Sequence, residues 1–168
     1  MTEIPEIYLQ PGEWELVRKP TVLKTVLGSC VGVTFRAPRL GIGAMCHPML
    51  PHPASQRHMR QDSRAAGRYV DSIIAEMARR LDGLGVRRDE VEVKLFGGAD
   101  VLSTTRARAT VGKMNSETAV RTIAEEGFRL AASRLGGLSG VFIEFHTGTG
   151  EVLLRRLSQM DSATLSRT

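Results

Sequence analysis

The chain has 168 residues, 42% hydrophobic and 24% charged, with a formal net charge of +5. This is the make-up of a globular protein with one real core, and it excludes a disordered or fibrous chain. The positive balance favours an anionic partner, here an acidic protein surface; with 5% aromatic residues, stacking on bases has little support and no nucleic acid is expected.

The start, MTEIPEIYLQPGEWEL, is acidic and broken by proline, unlike a signal peptide. No apolar run approaches a bilayer span, so the expectation is a cytoplasmic protein without membrane insertion. Both cysteines are then expected as thiols. TVL runs into a turn at Gly28-Ser29, CVGVTF alternates, Pro38 marks a bend, and GIGAMCH forms the next strand, stopped by the prolines of PMLPHP. Two extended runs about a short turn predict an antiparallel hairpin. Residues 51–64 are polar and aperiodic and read as a loop.

Val70, Ile73, Ile74, Met77 and Leu81 recur on one helical face, and Gly83 and Gly85 stop that helix. VEVKLF is a strand ended by Gly97-Gly98, whose glycines suit a tight turn or a close backbone approach. The stretch LSTTRARAT carries no assignment. A second helix is predicted from Asn115 or Ser116 as N-cap, with Val120, Ile123 and Ala124 on its apolar face and Gly127 as its stop. FRLAAS, VFIEFH and EVLLRRL are strands, the last two joined by a TGTG turn. Strands outnumber helices and come in runs, which predicts an α+β layered domain. One domain is expected over residues 1–157, with 158–168 as a flexible tail.

Alternation separates the two thiols. In CVGVTF, Val31, Val33 and Phe35 share one face and Cys30 the other; in GIGAMCH, Cys46 lies with Ile42 and Ala44, while His47 lies opposite. Cys46 therefore reads as a core residue. Cys30 and His47 are expected on the same side of the hairpin, with Gly32 and Gly43 leaving open space beside them. A thiol with an imidazole neighbour forms a thiolate–imidazolium pair able to attack a carboxamide or ester carbon. The imidazole then shuttles the proton, and backbone N–H groups around Gly28–Val31 are candidates for the oxyanion. Thr25, Ser29 and Thr34 are available to orient the base, and spacing does not choose among them. The rival use is a metal site from Cys46, His47, His52 and His58. That spacing fits no standard zinc pattern, so neither a metal nor another cofactor is expected.

The segments TVLGSCVGV, GAMCHPMLP, RYVDSII, KLFGGADVL, VGKMNSETA, GG at 136–137 and TGTGEV, in this order from about residue 7 to 157, resemble the CheD family of chemoreceptor glutamine deamidases. The resemblance implies a cysteine hydrolase that converts glutamines on chemoreceptor cytoplasmic helices to glutamates. It implies Cys30 as nucleophile, His47 as base and Thr25 as third residue; Lys24 occupies the alternative register and Thr21 is too remote. It also implies a three-layer α/β/β arrangement with mostly antiparallel strands and two main helices, and a CheC-type phosphatase as partner. The Gly-Arg pair that family members carry after the double glycine is absent, the chain reading GGLSGVFIEF. Two other readings of the same residues are a cysteine amidase or esterase with other substrates and a non-catalytic regulator of such a phosphatase. Arg57, Arg60, Arg64 and Arg68 are expected to steer acidic helices toward Cys30.

Overall fold

The computed structural model describes residues 2–54, 65–101 and 110–158. Its elements run β1 (Glu6–Tyr8), β2 (Trp14–Val17), β3 (Val22–Leu27), β4 (Val31–Ala37), β5 (Ile42–Cys46), α1 (Val70–Gly83), β6 (Glu92–Gly97), α2 (Val111–Glu125), β7 (Leu130–Leu135), β8 (Val141–His146) and β9 (Val152–Arg156). They form two mixed sheets, a five-stranded one in the order β2-β5-β4-β6-β7 and a four-stranded one in the order β1-β3-β8-β9. Only β1–β3 and β6–β7 pair in parallel. This is the expected α+β class.

Two apolar clusters define three layers. Val31, Val33 and Phe35 of β4, Ala44 and Cys46 of β5, and Val93 and Leu95 of β6 pack on Val70, Ile73, Ile74, Met77 and Leu81 of α1 and on Ala119 and Ile123 of α2. The five α1 side chains are fully buried, together worth roughly 10 kcal/mol of transfer free energy. On the other face, Met45 and Phe96 meet Leu23, Leu27, Ile143 and Phe145 of the second sheet, with Leu9 beside them. The central sheet is thus apolar on both faces, between helices and a second sheet.

The predicted hairpin is β4–β5, paired from Val33↔Cys46 to Ala37↔Ile42. Its two glycines do not leave open space. A Cβ on Gly32 would press on Leu27 and Ile143, and one on Gly43 would clash with Thr147. The glycines let the second sheet close on the first.

The second helix begins earlier than predicted. Thr110 is its N-cap, accepting from the Lys113 amide at 3.2 Å, and Asn115 sits inside the helix, fully buried. Its buried face is Gly112, Asn115, Thr118, Ala119, Thr122 and Ile123, while Val120 is exposed. The buried face is made mostly of small and polar residues, so apolar letters alone place it wrongly. Strands β1 and β2, of three and four residues, carry too little pattern to be read from sequence. Residues 55–64 and 102–109, and the expected tail from 159 onward, lie outside the described residues. Among the described residues no helix is long and apolar enough to cross a membrane.

Candidate active site

The β4–β5 ladder continues one step past its named ends, for the Val31 amide donates to the Pro48 carbonyl at 3.3 Å. Val31 therefore faces Pro48, and Cys30 and His47 each precede one member of that pair. Both project on the face opposite Val31 and Cys46, offset by one diagonal step, a span that long side chains bridge. Cys46 lies wholly in the helix-side core, its Sγ 3.8 Å from the Val33 carbonyl and its thiol pushed up to about 12 by burial. Cys30 is half-buried against the inter-sheet cluster.

His47 is held from several sides. Its amide donates to the Glu13 carbonyl at 3.0 Å, and its own carbonyl accepts from Gly12 at 2.7 Å. The ring is buried, with Nδ1 2.7 Å from Thr25 Oγ1. Thr25 Oγ1 also lies 2.8 Å from the Leu9 carbonyl. A carbonyl only accepts, so the single hydroxyl proton of Thr25 goes to Leu9, and Nδ1–H must then donate to Thr25. The proton count assigns the tautomer: Nε2 carries the lone pair. That atom is buried and has no hydrogen-bond partner among the described residues. Of the three hydroxyls left open by the sequence, Thr25 is the one brought to the imidazole; Thr34 is buried two pairs down the ladder, opposite Met45.

Burial keeps both reacting groups neutral. It pushes the Cys30 thiol up to about 11, offset in part by its own backbone amide. It pulls His47 down to about 4, against smaller upward pulls from the Leu9 carbonyl and Glu13. The expected thiolate–imidazolium pair is therefore not the resting state. A neutral thiol and a neutral imidazole share this face of the sheet, and the imidazole keeps a lone pair that can accept a proton.

The turn before β4 is pinned through three successive carbonyls. Gly28 accepts from the Ala99 amide at 2.9 Å, Ser29 from Asn115 Nδ2 at 2.9 Å, and Cys30 from the Gly98 amide at 2.8 Å. Gly97 and Gly98 have φ of 97° and 64°, a region open to glycine. A Cβ on Gly97 would clash with the Cys30 carbonyl, and one on Gly98 with Ser116. The amides of Ser29 and Cys30 have no backbone acceptor among the described residues, whereas that of Val31 is spent on Pro48.

Exposed apolar side chains stand near these anchors in the chain: Leu50 directly after Met49, Met114 directly before Asn115 with Val111 one helical turn away, and Leu135 and Leu138 flanking Gly136-Gly137. The Gly136 amide donates to the Gly97 carbonyl, and the Gly137 carbonyl accepts from Asp100. The segments that anchor the turn before β4 thus carry exposed apolar side chains, an apolar rim in sequence terms.

Among the described residues the rival metal set is not gathered: Cys46 and His47 point to opposite faces, and His52 is exposed with Nδ1 3.4 Å from the Pro53 carbonyl. His58 lies outside the described residues, as do Arg57, Arg60 and Arg64. Arg68 closes a 3-10 turn whose carbonyl accepts from the Met49 and Leu50 amides. His146 lies 3.9 Å from Glu144 on the second sheet.

The whole is an α+β domain that carries a partly exposed thiol, an oriented imidazole and amides without a backbone acceptor among the described residues at one sheet end, the equipment that acyl transfer through sulfur requires. A family model described as CheD chemotactic sensory transduction matches residues 49–156. The chain is 41% identical over 160 residues to the probable chemoreceptor glutamine deamidase CheD 2 of Geobacter sulfurreducens, covering 95% of each chain. It is 35% identical over 162 residues to the corresponding CheD of Maridesulfovibrio salexigens, covering 94% of this chain and 95% of that one. A CheD of Methanococcus maripaludis is 32% identical over 149 residues, with coverage of 89% and 94%. This chain belongs to the CheD family. Among solved structures, the hypothetical protein YfiH of Bacillus licheniformis is similar at a TM-score of 0.47 and 11% identity, over 74% of this chain and 49% of that one, too distant to bear on function.

Proposed function

We propose that this chain is a protein-glutamine deamidase that converts glutamines on chemoreceptor cytoplasmic helices to glutamates in chemotactic adaptation. Cys30 is the nucleophile, His47 the base and Thr25 the residue that orients it. The observation that carries the reading is the Thr25–His47 contact at 2.7 Å, in a chain whose relatives bear the name chemoreceptor glutamine deamidase. Sγ attacks the carboxamide carbon as its proton passes to His47 Nε2, and the carbonyl oxygen becomes an oxyanion facing the Ser29 and Cys30 amides. Collapse expels ammonia, which takes the proton from the imidazolium, and leaves a thioester. Neutral His47 then draws a proton from water, hydroxide adds to the thioester carbon, and the thiolate leaves and recovers that proton. The products are a glutamate and ammonia, and water is the only co-reactant.

The apolar rim supports a macromolecular substrate over a free amino acid, because a protein helix buries its apolar side chains there as the glutamine enters. The arginines at 57, 60, 64 and 68 steer the acidic face of such helices, in the cytoplasm where they lie. A CheC-type phosphatase is the proposed partner; retention of this protein on the immobilised phosphatase, also with Cys30→Ala, tests that part. The reaction is tested by incubating the protein with receptor cytoplasmic fragments and mapping peptides by mass. Each converted glutamine gains about one mass unit as amide becomes acid. Unchanged receptor peptides, or conversion that survives Cys30→Ala, would overturn the proposal; a cellular effect on chemotaxis that survives Cys30→Ala would favour the binding-regulator reading.

A further inference from the structure

Asn115 lies on α2, outside the Cys-His-Thr set, yet touches both halves of the site. Its Nδ2 donates to the Ser29 carbonyl and to the Met49 carbonyl, each at 2.9 Å. One acceptor precedes the nucleophile and the other lies two residues beyond the base. Its Oδ1 is buried without a hydrogen-bond partner among the described residues, and the residue is fully inaccessible. An orphaned buried acceptor carries an uncompensated desolvation cost. An apolar side chain filling the same space would avoid that cost, so the amide's contribution lies in its two donors.

The Ser29 carbonyl belongs to the same peptide unit as the Cys30 N–H. In a trans peptide the two point in opposite directions. Holding that carbonyl toward α2 turns the Cys30 N–H away from the helix layer, to the sheet face that carries Cys30 Sγ and His47. The neighbouring units are fixed likewise, by Ala99 on the Gly28 carbonyl and Gly98 on the Cys30 carbonyl. Those two anchors are backbone amides. Asn115 is the side-chain anchor, and it holds the one peptide whose N–H belongs to the nucleophile itself.

We propose that Asn115 is a positioning residue that builds the oxyanion site, by locking the Ser29–Cys30 peptide with its N–H toward the developing oxyanion. The inference rests on the proposed deamidation but reaches beyond it. Without the Nδ2 anchor, the peptide is free to rotate its carbonyl into the site and its amide out. The thiol and the imidazole stay where they are, so proton abstraction survives and oxyanion stabilisation does not.

The test compares the wild type with Asn115→Ala and Asn115→Leu, the latter keeping the bulk without a donor. Deamidation of a receptor fragment should lose about 10²-fold in kcat, the effect of removing one oxyanion donor, with KM nearly unchanged. Alkylation of Cys30 by iodoacetamide at pH 9 displaces iodide without forming an oxyanion, and should stay within about twofold of wild type. Unchanged kcat, or kcat and alkylation falling together, would overturn the proposal. Where the variants do not fold, the wild type still decides. A peptide glutamine aldehyde forms a thiohemiacetal on Cys30, and the amide proton of Cys30 should move downfield in NMR spectra while that of Val31 does not. A Cys30 amide that ignores the adduct refutes the assignment. Should the wild type fail to deamidate any receptor fragment, the functional reading falls, and the alkylation and aldehyde measurements still report on Asn115.

Discussion

The neutral resting pair makes a sharp prediction for thiol reactivity against pH. Burial holds the Cys30 thiol at about 11 and His47 at about 4, so between these values neither group is charged. At pH 7.5 the thiolate fraction is about 0.03%, against about 9% for an unperturbed thiol, a deficit of about 300-fold. Alkylation by iodoacetamide, followed by intact mass, should be that much slower at pH 7.5 than for an exposed cysteine. The rate should climb tenfold per pH unit from about pH 7 to 10 without levelling. Cys46, pushed up to about 12 and wholly buried, should contribute nothing, and Cys46→Ala should leave the profile unchanged. A rate that is flat from about pH 5 to 9 would reveal a preformed thiolate–imidazolium pair and refute the argument from burial. In that case His47 is charged at rest and its role begins as an acid.

Cys30→Ala should abolish deamidation while leaving the circular dichroism spectrum and melting temperature close to wild type, since the half-buried thiol carries little of the core. Thr25→Val keeps the shape but removes the acceptor for Nδ1–H; kcat should fall between about 10- and 10²-fold, less than loss of the base itself, and wild-type turnover would remove Thr25 from the site. His47 is lowered in the folded state, so the unfolded chain takes up its proton first on acidification. Stability from this group is intact above about pH 6.5 and is lost as pH falls toward 4, reaching about 3 kcal/mol at pH 4; urea midpoints of wild type and His47→Gln at pH 7 and 4.5 should therefore converge or cross. Gly43→Ala should destabilise by at least about 2 kcal/mol in equilibrium unfolding, because its Cβ would meet Thr147 and force the sheets apart; an unchanged midpoint would show that the sheets yield freely.

Much of the architecture is legible in local pattern. The face of α1 follows from five apolar residues at helical spacing, and the β4–β5 hairpin from two alternating runs about Pro38. The same alternation puts Cys46 in the helix-side core and Cys30 on the opposite face, as the structure has them. The start of α2 is not legible in the sequence, because Asn115 and Ser116 are good caps by composition, whereas Thr110, five residues before Asn115, makes the capping bond. A capping residue and a buried asparagine are the same letter in a sequence; only their surroundings differ.

By itself the sequence determined the class of fold, the side of the sheet on which each thiol stands, and the face that Cys30 and His47 share, because each follows from a period of two or of 3.6 along the chain. Only the tertiary structure decided that Thr25 reaches the imidazole, that Nε2 holds the lone pair, that both groups rest neutral, and that Asn115 anchors the nucleophile turn. Those depend on contacts between residues far apart in the chain and on the removal of water around them, and neither leaves a trace in local periodicity.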